Sequence, residues 1–476
     1  MAGRARLGGD PLRTARAQRH RAGRAGQPDP GADRRRAAAA RPHHRGAGQA
    51  AGPALVRAAV PPPQGAVGRR RHPPAGARHL RRAPPARHPA PRGPVRRDGS
   101  SPVRVLGGTV TLTSRSAITD LVREYHRRTR APGIGVALVP AVGEPLVVVR
   151  GERVRGGGVP VEVTDRWHIG SCMKAMTATA VARFVERDRL RWSTPVSELL
   201  DTASAHPGWR EVSLAEVLTH TAGMPANPTP AELRAALADP TPPPVQRARL
   251  AEETLARAPA SPGRFRYSNL GYAIAGAALE RIAGEPFEEV LAAELLRPLR
   301  ITSAGFGPPG PRQPWGHRAR WSALGLGLGR GPAVDPAGTS LSHPPDNATV
   351  LTPAGRLHLS LHDWSAFIRT FLDTPDRLLS TQSLDRLTTR PAGPKTEQAM
   401  GWWTPGDGPL RDRVAYAQQG SNARWVATAA VSADRSTAAL VACNDGRTRM
   451  LTSSLGLAID LLAAGRAAPH PDRGQP

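Results

Sequence analysis

Large apolar side chains are scarce in the first quarter of this 476-residue chain, and that limits where a core can form. Residues 1–104 contain no Phe, Tyr, Trp, Ile, Cys, Lys, Asn or Glu, and only four Leu and five Val. Ordering a backbone costs about 1–2 kcal/mol per residue, and so little apolar surface cannot offset it. This segment is predicted to be disordered. It holds 24 Arg against four acids (Asp10, Asp29, Asp33, Asp98), or +20 of the +28 formal charge. Three readings fit: a basic arm that binds phosphates, a solvated tail without a partner, or GC-rich DNA read through a mis-assigned start or a frameshift. Aromatics and lysines, which a nucleic-acid arm would use, are missing. The intact mass of the native protein separates the readings, because a start near Val105–Val110 removes the tail.

Residues 105–476 carry 42 basic and 34 acidic residues, a net +8 that specifies no partner. At about 370 residues this part exceeds a usual single core, so one two-lobed unit or two domains is expected. No run of about 20 apolar residues marks a membrane span, and no secretory signal opens the chain. Two cysteines, Cys172 and Cys443, make no disulfide framework. Neither localisation nor oligomeric state follows from these features.

Periodicity places the elements. Ile118–Arg130 is helical in spacing. Gly135–Val139 and Pro145–Arg150 read as strands. Ser213-Leu-Ala-Glu216 is a capping box that opens a short helix. Residues 231–258 are helical with a break at the prolines of 240–244, and a helix runs from about Leu270 to Ala283. The Gly/Pro-rich stretch 307–347 reads as loop, and Leu357–Leu372 as helix. Val414–Gln418, Arg424–Val431 and Ala438–Ala442 read as strands before a closing helix, Leu451–Ala464. Strands near both ends with helices between them predict one sheet assembled from both termini, with a helical insertion.

Only two lysines, Lys174 and Lys395, stand among 64 arginines. Lys174 follows Ser171 by three residues at the start of an apolar helical run, so both side chains project from one helix face. A serine nucleophile needs that geometry from an amine base, and the amine must be partly desolvated to be neutral near pH 7. Ser171 at a helix N-terminus would turn its backbone N–H toward a developing oxyanion. Tyr267 could share the base role, since a nearby ammonium eases loss of its proton. Asn269 can orient both a lysine and an amide substrate. In Gln418-Gln419-Gly420-Ser421-Asn422, Gly420 permits close approach of a substrate backbone, and the Ser421 N–H is a second candidate oxyanion donor.

Together, Ser-x-x-Lys, Tyr-x-Asn and the Gln418–Ser421 segment resemble the serine β-lactamase and penicillin-binding-protein family. The likeness is to its class C β-lactamase-like and D-alanyl-D-alanine carboxypeptidase/esterase branch. Trp167–Thr179, Leu218–Gly223, Pro353–Gly355, Ser360–Phe367 and Gly420–Asn422 extend it over about residues 115–465. The resemblance implies an α/β fold (an α+β sandwich): an antiparallel sheet flanked by helices plus a mainly helical lobe, with the site between them. It implies Ser171 as the acylated nucleophile, Lys174 and Tyr267 as the base pair, and Asn269, Gln418, Gly420 and Ser421 on the substrate side. It implies no cofactor and no metal, a small-molecule or peptide substrate, and action in the cell envelope or outside.

Gln418 departs from the pattern, which has Lys or His there. Glutamine donates a hydrogen bond but carries no charge, so esters and neutral amides fit better than substrates anchored by a carboxylate. A ligand-binding or sensor relative that acylates slowly is the alternative. Competing schemes are weaker. No Gly-x-Ser-x-Gly elbow occurs. His358 and His362 are one helical turn apart but lack the acidic neighbour of a zinc-protease helix. His168 and His220 read as packing residues. Cys172 reads as a small buried hydrophobe, or as a thiol that makes the site oxidant-sensitive.

Overall fold

Alternate residues of the strand Gly133–Pro140 (β1) belong to different cores. Ile134, Val136 and Leu138 join one cluster, Ala137 and Val139 the other. A strand buried on both faces reads as one continuous apolar run, as it does in this sequence. The computed structural model describes residues 112–200, 204–320, 327–374, 378–393, 396–406 and 408–466. Residues 1–104, on which the disorder expectation falls, and Lys395 lie outside them. Among the described residues no helix is long and apolar enough to cross a membrane.

The chain continues through β2 (Leu146–Gly151), β3 (Arg166–His168), β4 (Gly305–Phe306), β5 (His317–Arg320), β6 (Gly329–Ala333) and β7 (Leu357–Ser360). It ends its strands with β8 (Val414–Ser421), β9 (Val426–Ser432) and β10 (Thr437–Cys443). The main sheet has the order β2-β1-β10-β9-β8, antiparallel throughout. Val136 stands opposite Val441, so the two ends of the folded part meet at the centre of the sheet, as the strand positions predict. Helices Leu112–Thr129 and Arg449–Arg466 cover one face with Ile118, Val122, Leu457 and Leu461. The helical lobe and helix Leu361–Arg369 cover the other.

Two expectations are corrected. Leu357–Ser360 is a strand, not the first turn of a helix. It pairs with β3 and β4, and the Ser360 side chain then caps the helix by accepting from Asp363 N. Tertiary pairing overrides the helical spacing of the leucines. Within 307–347, β5 and β6 form a hairpin that glycine content obscured. The proline break holds: helices Pro230–Ala238 and Pro243–Leu255 flank it, and the Ser213–Glu216 capping box is formed.

The helix Met173–Glu186 is buried nearly all round, from Met173 to Ala182 and again at Phe184. A helix with no polar face belongs inside a lobe. Its buried lysine is therefore held in a dry environment by the fold itself.

Candidate active site

Ser171 lies in a single 3-10 turn, Gly170–Cys172, between the end of β3 and the buried helix. Gly170 has φ +52, a left-handed conformation that glycine adopts without strain. A Cβ there would stand 2.6 Å from Ser421 N, and one on Gly420 would stand 2.6 Å from Ser171 N. The end of β8 and the Ser171 turn are thus in backbone contact, and both candidate oxyanion donors belong to the segments that meet there. Ser171 is 8% exposed and Lys174 is fully buried.

Lys174 Nζ has three partners. Ser171 Oγ is at 3.1 Å, Asn269 Oδ1 at 2.6 Å and the Ala354 carbonyl at 2.6 Å. The last two can only accept. A neutral amine satisfies both with its two hydrogens, which leaves its lone pair facing the serine hydroxyl. Burial pushes the Lys174 amine well below the usual lysine range, consistent with that state.

Tyr267 OH donates to Ser171 Oγ at 2.9 Å. The expectation that its proton is easily lost is reversed here. Burial raises the phenol above its ordinary range, and the hydrogen bond to Ser171 opposes this only in part. The motif's middle residue also has a place: Ser268 is the N-cap of helix Asn269–Ala283 and accepts from Gly271 N at 2.9 Å. Tyr267 therefore sits just before a capped helix and Asn269 in its first turn, a rigid way to present both.

His220 packs on the tyrosine, ring centroids 4.4 Å apart, and its Nδ1 accepts from Ser268 N. Burial, with Lys174 nearby, brings the imidazole down to about 3, so it is neutral. Asn269 Nδ2 donates to Asn227 Oδ1 at 2.7 Å. Gln418 is buried; its Nε2 donates to the Ser171 carbonyl at 3.0 Å.

Cys172 faces the carbonyls of Gln418 and Ala427, and burial pushes its thiol up, away from reactivity. His358 and His362 do not share a helix. His358 is on β7, buried with Nδ1 on the Gly307 carbonyl, while His362 is exposed beside Glu144. No cluster of three or more metal-ligating side chains occurs among the described residues.

Sequence reasoning missed Ala354, Asn227 and Asp346. Ala354 acts through a backbone carbonyl, which carries no side-chain signal beyond the Pro353–Gly355 landmark. Asn227 lies in a loop 42 positions from Asn269, and Asp346 in a loop 178 positions from His168, whose Nε2 is 2.9 Å from its carboxylate.

A buried Ser171–Lys174 pair with the half-buried Tyr267, between an antiparallel sheet and a helical lobe, defines the class, the β-lactamase/transpeptidase-like fold. The chain belongs to the Beta-lactamase family, whose model matches residues 118–463. It is similar to PbpX of Bacillus subtilis (strain 168), 26% identical over 278 residues, 55% of this chain and 61% of that protein. It is also similar to the D-alanyl-D-alanine-carboxypeptidase/endopeptidase AmpH of Escherichia coli (strain K12), 24% identical over 204 residues, 41% of this chain and 52% of that protein. The matches thus span less than two thirds of either relative. The D-amino acid amidase of Ochrobactrum anthropi SV3 shares the fold at TM-score 0.59 and 17% identity, over 74% of this chain and 98% of that one.

Proposed function

We propose that the protein is a serine hydrolase that cleaves an ester or amide through an acyl-enzyme on Ser171. The observation that carries this is the partner set of Lys174 Nζ, two acceptors and the Ser171 hydroxyl. In this reading Ser171 Oγ attacks the carbonyl carbon as its proton passes to Lys174 Nζ. The N–H groups of Ser171 and Ser421 hold the oxyanion. The leaving group takes a proton from the Lys174–Tyr267 pair, and water then cleaves the acyl ester by the reverse transfers. Asn269 holds the lysine.

The neutral, internally bonded Gln418 supports esters and neutral amides over substrates recognised by a carboxylate. The D-amino acid amidase and carboxypeptidase relatives keep small amides and D-amino-acid peptides in view. Ser171→Ala is expected to abolish both turnover of a chromogenic short-chain ester and labelling by a fluorophosphonate. Persistence of either refutes the assignment. The same Gln418 observation favours one second reading, a slowly acylating sensor. A stoichiometric burst with no steady state would select it.

A further inference from the structure

Asp346 lies in the loop between β6 and β7, with its side chain 2% exposed. One carboxylate oxygen is 2.9 Å from His168 Nε2; the other accepts from Asn422 Nδ2 at 2.9 Å and from Asn347 N at 2.8 Å. Arg356 Nε is 3.5 Å away and supplies a countercharge. Each side-chain partner leads to a wall of the site. The other ring nitrogen of His168, Nδ1, accepts from Gly170 N at 3.1 Å, one residue before the nucleophile. That assigns the Nε2 hydrogen to Asp346. Asn422 Oδ1 accepts from Arg424 N and Trp425 N, closing the turn that follows Gly420-Ser421. The His168 ring in turn stacks on Trp425 at 5.4 Å. Arg356 follows Ala354-Gly355, whose first carbonyl holds Lys174.

We infer that Asp346 is a positioning residue: its carboxylate clamps the nucleophile turn, through His168, to the end of β8, through Asn422, and so sets the spacing of the Ser171 and Ser421 N–H groups. The Asp346 carboxylate is buried and bonded through both oxygens, the condition under which a polar network holds one geometry. A donor pair off by a fraction of an ångström stabilises the transition state poorly while ground-state binding hardly changes. This inference rests on the hydrolase reading above.

The test uses the full chain as wild type, Asp346→Asn, Asn422→Ala and the reciprocal pair Asp346→Asn/Asn422→Asp. Each is titrated with a fluorophosphonate so that kcat for a p-nitrophenyl ester is counted per labelled Ser171. Asp346→Asn is expected to lose about 10²-fold in kcat with KM within about threefold, as when an oxyanion donor is lost. The reciprocal pair restores the bond between positions 346 and 422, and is expected to recover about tenfold or more of that loss. A merely structural carboxylate would lower Tm and the labelled fraction while leaving kcat per labelled site within about threefold of wild type, and that result overturns the inference. If Asp346→Asn does not fold, Asn422→Ala, which leaves the carboxylate paired with His168 and Arg356, decides: unchanged kcat per labelled site overturns it. A wild type that neither labels nor turns over refutes the hydrolase reading, and this inference with it.

Discussion

The side-chain amide of Gln418 is bonded to the backbone carbonyl of Ser171, 3.0 Å away, inside the site. Where the family resemblance implies Lys or His, this chain has a neutral side chain bonded to the Ser171 turn. Its other amide atom, Oε1, accepts from Gln419 N at 3.3 Å. The side chain is engaged at both ends with protein.

Substrate charge preference follows. Gln418→Lys keeps a donor for the Ser171 carbonyl and adds a charge. A charge-assisted hydrogen bond contributes about 1.5–3 kcal/mol. The kcat/KM ratio for a D-Ala-D-Ala peptide over its C-terminal amide is therefore expected to rise about tenfold or more in the variant. An unchanged ratio would show that position 418 does not read the substrate carboxylate.

The buried Lys174 amine makes stability depend on pH. Its folded pKa lies below its ordinary value, so between the two the unfolded chain binds the extra proton. Stability is then lost as pH falls through that window and gained as pH rises toward 10.5, with a slope of up to about 1.4 kcal/mol per unit. Lys174→Met is expected to flatten this dependence between pH 7 and about 10 and to lower kcat by about 10³-fold. Denaturant melts across that range check it. Parallel curves for the two proteins would mean the buried amine stays charged.

His220 is neutral and packed on Tyr267, with φ +62 in the left-handed region where asparagine is among the better-tolerated side chains. The unfolded imidazole protonates near 6.5 and the folded one near 3, so its contribution to stability is lost as pH falls between those values. His220→Asn is expected to reduce the acid-induced loss of stability in that window. It should also lower kcat about tenfold with KM little changed, because Tyr267 loses the ring that holds it. Wild-type kcat in the variant would remove His220 from any positioning role.

Gly420 has no room for a methyl group. A Cβ would lie 2.0 Å from the Ile169 carbonyl and 2.6 Å from Ser171 N, both backbone atoms. Gly420→Ala is expected to destabilise the fold by about 3 kcal/mol and to abolish turnover, since β8 and the nucleophile turn must separate. Differential scanning calorimetry with an esterase assay tests both. A stable, active variant would mean the two segments are not in contact.

Local rules reached the parts of this protein that are local. The i, i+3 spacing of Ser171 and Lys174, the continuous apolar run of Ile134–Val139, the Ser213–Glu216 capping box and the proline break near 240 all depend on neighbours within a turn or two. Sequence alone therefore placed Ser171 one helical turn from Lys174 and gave the two-ended sheet and the family resemblance. It misjudged Leu357–Ser360, where pairing with β3 and β4 outweighed periodicity, and the ease of Tyr267 ionisation, where burial outweighs the hydrogen bond to Ser171. Tertiary structure alone decided which atoms complete the site. The Ala354 carbonyl meets Lys174 across 180 positions, and Asp346 meets His168 across 178. No local pattern marks a backbone carbonyl or a lone loop aspartate. Their chemistry arises only when packing removes water and leaves each buried polar group a single set of partners.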